Sequence, residues 1–173
     1  MKKFLEPLLK AFALLSIVLL ARPTAGAEPG MVFRCVGPLD RNASHAGLER
    51  AFGRNKVGQE EIFAGGDTET MTVVFADDPR RKLLVGWRDQ ANRRGLARVT
   101  IEGRSRWSVG GLAVGSPLVA VERLNGRAFK LNDYEGDFGG DVIDWMGGHL
   151  EKLPDGCVLG ATLPSTRHTP ELS

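Results

Sequence analysis

The chain has 173 residues, a quarter of them charged, and its formal net charge at pH 7 is +2. The first 27 residues carry four bases and one acid, a net of +3, which leaves −1 for the rest of the chain. Attraction to nucleic acid along the whole chain requires a strongly basic surface and is therefore not expected. The remaining length suits one domain with an ordinary core.

The N-terminus has the pattern of a secretory signal peptide. Lys2 and Lys3 precede an apolar run over residues 11–21, and the small residues Ala25 and Ala27 mark a cleavage site. The run is shorter than the roughly 20 residues that a helix needs to span a bilayer, and an uncleaved anchor is the alternative. Cleavage after Ala27 leaves no cysteine at the new N-terminus. The sequence therefore predicts a periplasmic or secreted protein with neither a lipid anchor nor a membrane span.

The first half of the exported chain predicts one helix followed by strands. A short extended piece, residues 31–33, leads into a helix that Asn42 or Ser44 can cap and Gly53 can end. Three runs rich in β-branched and apolar residues are then predicted to be strands: Met71–Phe75, Lys82–Trp87 and Ala97–Ile101.

The second half predicts the same order. Ser116 followed by Pro117 is typical of a helix start, with the serine as cap, and Gly126 is a good helix end. A short strand is predicted over residues 141–146.

Two glycine pairs, Gly139-Gly140 and Gly147-Gly148, flank that strand. Glycine permits positive φ, so tight turns or bulges explain both pairs. The alternative is that they let a ligand approach the backbone beside Trp145.

An internal duplication is predicted from two similar segments. Residues 48–53 match residues 121–126 at an offset of 73. The approximate units are residues 38–103 and 107–163 of a single α+β domain, residues 28–173. One such unit cannot bury both faces of its sheet, so we expect the two units to form one continuous antiparallel sheet with both helices on one face.

These segments resemble known helix-and-strand units. The run Gly111–Ser116, with a short helix ending at Gly126, resembles the helix-then-hairpin unit of the small lipoprotein in the outer-membrane barrel assembly machine. Two such units in tandem resemble the secreted β-lactamase inhibitory protein. Residues 121–129, with segments 137–140 and 144–148, are similar to a family of exported bacterial proteins known only as uncharacterised. The resemblance implies export and a self-contained domain, and it implies no chemistry.

Cys35 and Cys157 are the two cysteines of the chain. Export would place them in an oxidising compartment, so a disulfide that brings the two ends of the domain together is predicted. Free thiols or metal ligands are the alternatives, but the sequence has no C-x-x-C pair and no nearby histidine cluster to favour them.

Charge is segregated along the chain. Nine bases and four acids lie between Ala76 and Arg106, whereas seven acids and two bases lie between Lys130 and Asp155. One interpretation is two solvated surfaces that attract each other within the fold. The other is a dipolar surface that orients a charged partner.

Four acids follow the spacing of a calcium loop: Asp133, Glu135, Asp137 and Asp144. Such loops require glycine at the sixth position, which here is Phe138. The pattern therefore favours a solvated acidic loop, and no metal or cofactor is predicted.

Aromatic side chains are the strongest candidates for binding, because aromatics dominate interface hot spots. Trp87 and Trp145 lie at strand ends, and we expect them to be in the core. Tyr134 and Phe138 lie in the acidic, glycine-rich stretch, and we expect them to be exposed.

The sequence therefore predicts a monomeric binding or inhibitor-like protein that contacts an envelope or secreted protein through residues 132–144. Tyr134 would be an apolar anchor, and the nearby carboxylates would give charge complementarity. The candidate binding residues are Asp133, Tyr134, Glu135, Asp137 and Phe138.

An envelope hydrolase or metal-dependent protein is the alternative function. It would use Asp137, Asp141, Asp144 and His149 in acid–base or metal chemistry. Their spacing is not specific. A nucleophile would be a serine or cysteine beside a histidine, but Ser116 is interpreted as a helix cap and both cysteines as a bridge.

Overall fold

The computed structural model describes residues 31–64, 66–135 and 138–164. The predicted signal peptide lies outside the described residues. Within these ranges the elements are β1 (Met31–Val32), α1 (His45–Phe52), β2 (Val57–Ala64), β3 (Asp67–Val74), β4 (Leu83–Asp89), β5 (Arg94–Thr100), β6 (Trp107–Val109), β7 (Leu112–Ala113), α2 (Leu118–Asn125), β8 (Lys130–Leu131) and β9 (Val142–Asp144). The fold is α+β, as predicted. None of the described helices is long and apolar enough to cross a membrane.

Helix α1 begins and ends where the sequence predicts its caps. The Ser44 hydroxyl oxygen accepts a hydrogen bond from the Gly47 amide at 3.1 Å, which satisfies one free amide of the first turn. Gly53 follows the last helical residue with a φ of 93°, a conformation that a side chain would strain. Leu48 is fully buried in the main core, so the apolar face of α1 is directed inward.

Strands β2 to β5 form an antiparallel sheet in sequence order. The last three overlap the predicted strands, although β3 and β5 begin several residues earlier than predicted. Strand β2 is not predicted, because VGQEEIFA lacks an alternating apolar pattern. All eight of its residues pair with β3, from Val57 opposite Val74 to Ala64 opposite Asp67. Pairing with a neighbour, rather than its own pattern, thus makes this segment a strand.

One face of this sheet has a small apolar cluster of its own. Met71, Val73 and Leu84 are almost fully buried there, separately from the main core. Among the described residues, the further apolar side chain packed against them is Ile62 of the same sheet. The cover of this cluster must therefore come largely from polar side chains.

A charged pair supplies part of that cover. The Arg98 guanidinium pairs with the Glu69 carboxylate, and its Nη2 atom lies 3.9 Å from the Met71 sulfur. A Cβ at Gly86 would lie 3.1 Å from Cγ of Arg98 and 3.2 Å from Oε1 of Glu69. The lack of a side chain at Gly86 lets the pair lie flat on the sheet.

The remaining strands form two small sheets, so the prediction of one continuous sheet is wrong. After β5 the chain leaves the large sheet, and β6 pairs in parallel with β1, with Met31 opposite Trp107. Strand β7 pairs with β6, and β8 pairs with β9. Gly110 and Gly111, both at positive φ, turn β6 into β7 after three residues. These strands are too short to extend the sheet, and the two-unit arrangement stays a prediction.

Helix α2 ends as predicted but begins differently. Gly126 ends it in the left-handed conformation, with a φ of 76°. Pro117, rather than Ser116, is the N-cap residue. The Ser116 hydroxyl instead accepts a hydrogen bond from the Ala113 amide at 3.0 Å. Its side chain closes the turn before the helix, so the predicted serine cap is wrong.

Asn125, the last residue of α2, is a buried polar side chain that joins the helix to the chain after β9. Its Nδ2 donates to the carbonyls of Arg127 at 2.9 Å and Trp145 at 3.1 Å, and its Oδ1 accepts from the Leu150 amide at 3.3 Å. Gly148 approaches the Asn125 amide so closely that a Cβ would overlap it. This side chain therefore fixes the end of α2 against the C-terminal half.

The predicted disulfide joins Cys35 and Cys157, whose Cα atoms are 5.8 Å apart. The Cys35 amide also donates to a carboxylate oxygen of Asp155 at 3.0 Å. Both cysteines lie in or against the main core. The bridge thus holds together two segments that are 122 residues apart.

Replacing both cysteines with serine is expected to lower the free energy of unfolding by about 2–5 kcal/mol, because the unfolded chain loses a long closed loop. Guanidinium unfolding of the variant, and of the wild-type chain with and without reductant, measures the effect. The reduced wild-type chain should unfold at the same denaturant concentration as the variant. An unchanged midpoint in both would show that the bridge does not stabilise the fold.

Asn125→Ala is expected to lower the free energy of unfolding by about 2–4 kcal/mol, because it leaves buried backbone groups without partners. Asn55→Ala is the matched control, since Asn55 is exposed and has no such role. Thermal and denaturant unfolding of both variants check the prediction. Equal losses in the two variants would contradict it.

Candidate functional site

The acidic loop, residues 132–144, is closed at its base by backbone hydrogen bonds. The Asn132 amide donates to the Asp141 carbonyl at 2.8 Å, and the Gly140 amide donates to the Asn132 carbonyl at 3.2 Å. Within the loop, the Asp141 amide donates to the Phe138 carbonyl at 3.1 Å. These bonds continue the pairing of β8 with β9, so the loop is the end of a hairpin.

The C-terminal segment holds the loop from its other side. The Val142 amide donates to the Ala161 carbonyl at 2.8 Å, and the Leu163 amide donates to the Gly140 carbonyl at 2.9 Å. The Thr162 hydroxyl donates to the Asp141 carboxylate at 2.5 Å. The base of the loop is therefore bonded on both edges, and its conformation is restricted.

The glycine pair at the base is explained by close approach of the chain to itself. Gly140 has a φ of 84°, and a Cβ there would overlap the Leu163 carbonyl and lie 2.7 Å from the Tyr134 ring. A Cβ at Gly139 would lie 2.7 Å from the Cα atom of Tyr134. Both glycines make room for the protein's own groups, which supports the turn interpretation rather than a ligand beside Trp145.

The aromatic residues divide as predicted between core and surface. Trp87 and Trp145 are buried, whereas Phe138 is 64% exposed and Tyr134 is 43% exposed. The Tyr134 hydroxyl lies 3.4 Å from the Pro164 carbonyl, so this ring lies along the C-terminal segment. Phe138 presents most of its ring to solvent.

The acids of the loop have local partners. An Asp133 carboxylate oxygen accepts from the Glu135 amide at 3.1 Å, which stabilises the turn before the tip. Asp144 accepts from the Met146 amide at 2.7 Å and lies 3.9 Å from Nζ of Lys130. Asp137 lies outside the described residues. In the part of the chain that the structure describes, no three histidine, cysteine or acidic side chains gather as a metal site would require.

The described residues of the alternative catalytic set are engaged separately. Asp141 accepts from Thr162, and Asp144 accepts from the Met146 amide. The His149 ring lies against Gly126 at the end of α2, 3.1 Å from where a Cβ would be. This arrangement gives no geometric support to an enzyme that uses them together.

A buried polar cluster that sequence reasoning missed lies under α1. Thr72 is fully buried, and its hydroxyl oxygen accepts from the Trp87 indole at 2.9 Å and lies 2.8 Å from Nδ1 of His45. His45 Nε2 lies 3.8 Å from a Glu49 carboxylate oxygen. Threonine, histidine and glutamate in this order are reminiscent of a nucleophilic triad, but a fully buried hydroxyl cannot reach a substrate. The cluster is structural: it satisfies polar groups in the core and fixes α1 on the sheet.

The chain matches no family model, no curated protein and no solved structure. The resemblances drawn from the sequence therefore stay predictions, and function is argued from the site alone.

The stability of the fold is expected to fall at mildly acidic pH because of His45. Burial lowers the pKa of His45 from its ordinary value of 6.5, repulsion by Arg93 lowers it further, and Glu49 partly opposes both. The unfolded chain therefore binds the proton more readily than the folded chain. The contribution of neutral His45 to the free energy of unfolding is therefore complete above pH 6.5. It is lost as the pH falls through the lower pKa of the folded state.

Denaturant unfolding between about pH 7 and about pH 5 measures this effect, and His45→Gln should reduce the slope of stability against pH. The histidine resonances followed by NMR give the folded pKa directly. A midpoint for His45 at or above its ordinary value would refute the assignment.

Proposed function

We propose that this chain is an exported binding protein that contacts a partner protein through the acidic loop. The observation that carries the proposal is the exposure of Phe138 on a loop whose base is bonded along both edges. An exposed aromatic ring on restricted backbone is suited to binding, because little conformational freedom is lost when the partner docks.

Two other apolar side chains in the acidic loop are also exposed. Tyr134 is 43% exposed, and Ile143 on β9 is 57% exposed. Together with Phe138 they would supply the apolar centre of an interface, around which a polar rim is expected. The Tyr134 hydroxyl donates to the Pro164 carbonyl, so its oxygen can still accept a hydrogen bond from the partner.

The charge of the loop indicates the kind of partner. Asp133 and Glu135 are exposed and flank Tyr134, and Asp137 follows them in the sequence. Exposed carboxylates around an aromatic anchor complement a basic surface, and they speed association more than they strengthen binding. We therefore expect an envelope or secreted protein with a basic surface around an apolar pocket.

Export is part of the proposal. The disulfide is compatible with an oxidising compartment, and the N-terminal sequence pattern indicates secretion. We also propose that the domain arose from two tandem units. Helix α1 is followed by a sheet of four paired strands, and α2 is followed by a sheet of two. The second unit would be a shortened copy of the first, as the resemblance to tandem helix-plus-hairpin proteins implies.

The test compares two pairs of substitutions that each remove two exposed apolar side chains. Tyr134→Ser with Phe138→Ser alters the loop, and Phe63→Ser with Val119→Ser alters exposed residues elsewhere. Each oxidised protein is cross-linked to envelope proteins of its own source, and captured proteins are identified by mass spectrometry. The partner is then purified and titrated against all three proteins.

The loop pair is expected to weaken binding at least tenfold, as loss of a hot-spot residue does, with an unchanged melting temperature. The control pair should bind as the wild-type chain does. Equal affinity of the loop pair for the captured protein would refute the proposal.

A further inference from the structure

The register of the four-stranded sheet brings three basic segments to one end. Val57 at the start of β2 pairs with Val74 at the end of β3, which pairs with Leu83 at the start of β4. Leu84 in turn pairs with Thr100 at the end of β5. Residues 54–56 lead into β2, residues 75–82 connect β3 to β4, and residues 101–106 follow β5. All three segments therefore meet at this end of the sheet.

Hydrogen bonds join the three segments. The Phe75 amide donates to the Lys56 carbonyl at 2.7 Å, and the Arg106 amide donates to the Arg80 carbonyl at 2.9 Å. The Trp107 indole donates to the Arg81 carbonyl at 2.9 Å. We call the surface formed by their side chains the basic end; its bases are Arg54, Lys56, Arg80, Arg81, Lys82, Arg104 and Arg106.

The basic end carries a positive excess. Its seven bases face three acids, Asp77, Asp78 and Glu102, and Lys82 pairs with Glu60 of β2 at 2.7 Å, which leaves a net charge of +3. Lys56 is neutralised by Asp77, whose carboxylate lies 2.7 Å away. Arg80 and Arg104 are exposed, and neither forms an ion pair with a described residue. Their charges are therefore solvated and available to an outside partner.

Arg81 gives the surface a fixed element. Its guanidinium carbon lies 3.9 Å from the centre of the Phe75 ring, and that ring packs edge-on against Phe52. The cation–π contact holds the charge close to the protein surface instead of leaving it on a free side chain.

The chain reaches this same end from its N-terminal side. Met31 pairs with Trp107, directly after the last basic segment. The apolar run of the predicted signal peptide ends ten residues before Met31, a distance that extended chain spans in at most about 35 Å. The predicted signal peptide would thus tether the chain to the membrane at this end of the sheet until it is cleaved.

Apolar exposure at this end favours lipid over nucleic acid. Val32 on β1 is 57% exposed, whereas the half-buried Trp107 packs against Phe33 and the main core. An exposed apolar side chain next to bases suits the interface of a bilayer, where both the acyl boundary and the headgroups are within reach.

We propose that the basic end binds the phosphate-bearing headgroups of an anionic bilayer, so that the domain docks on the membrane surface with this end of the sheet toward the lipid. This surface is distinct from the acidic loop, and the inference does not depend on the partner of that loop. Docking would be peripheral and reversible, since it rests on a few charges and limited apolar contact.

The test uses the chain as exported by an expression host, with its N-terminus determined by mass spectrometry. Binding is measured by flotation with vesicles of phosphatidylcholine, and with vesicles in which phosphatidylglycerol replaces a third of it. Arg80→Gln with Arg104→Gln alters the basic end. Arg88→Gln with Arg94→Gln removes two exposed arginines near the opposite end of the same sheet and is the matched control.

The wild-type chain and the control should bind only the anionic vesicles, and binding should fall as salt is raised. Arg80→Gln with Arg104→Gln should reduce the partition onto anionic vesicles about 30-fold. Equal loss in the control, salt-insensitive binding to both kinds of vesicle, or no binding of the wild-type chain would overturn the proposal. So would binding to duplex DNA at the same salt with equal or greater affinity.

Discussion

The disulfide between Cys35 and Cys157 determines where the last part of the chain runs. From the bridge, the segment passes along Trp145, whose indole donates to the Leu159 carbonyl at 2.8 Å, and continues beside β9 to the base of the acidic loop. The base of the loop is thus linked through a short extended segment to a covalent bond. Reduction would release that segment, and with it one of the two edges that restrict the loop.

The parts of the fold that sequence could predict are those decided by local chemistry. Helix α1 begins at a serine cap and ends at a glycine, and strands β3 to β5 are dense runs of β-branched and apolar residues. Strand β2 escaped prediction because its partner, not its pattern, makes it a strand. The continuous sheet was wrong because β6 pairs with β1, a contact between residues 31 and 107 that no local pattern indicates. Ser116 does not cap α2 because its hydroxyl accepts a hydrogen bond from the Ala113 amide in the preceding turn.

For the candidate site, too, the sequence predicted the features that local composition decides. The surrounding acids and glycines correctly separated exposed Tyr134 and Phe138 from the buried tryptophans. The contact of His45 with Thr72 was not predictable, since 27 residues separate them and the sheet must form before they meet. The basic end likewise depends on strand register. The sequence shows that bases are frequent between residues 76 and 106, but only the pairing of the strands shows which of them share a surface.

The flat position of Arg98 over Gly86 affects how the domain behaves among other chains. The apolar cluster beneath it is the kind of surface on which a second sheet could stack. Stacking of a second sheet would require removal of water from the Arg98–Glu69 ion pair, and burial of ions carries a large desolvation cost. A residue without a side chain in mid-strand thereby opposes sheet-on-sheet association. The absence of a side chain at position 86 would then matter between folded molecules at high concentration as well as within one molecule.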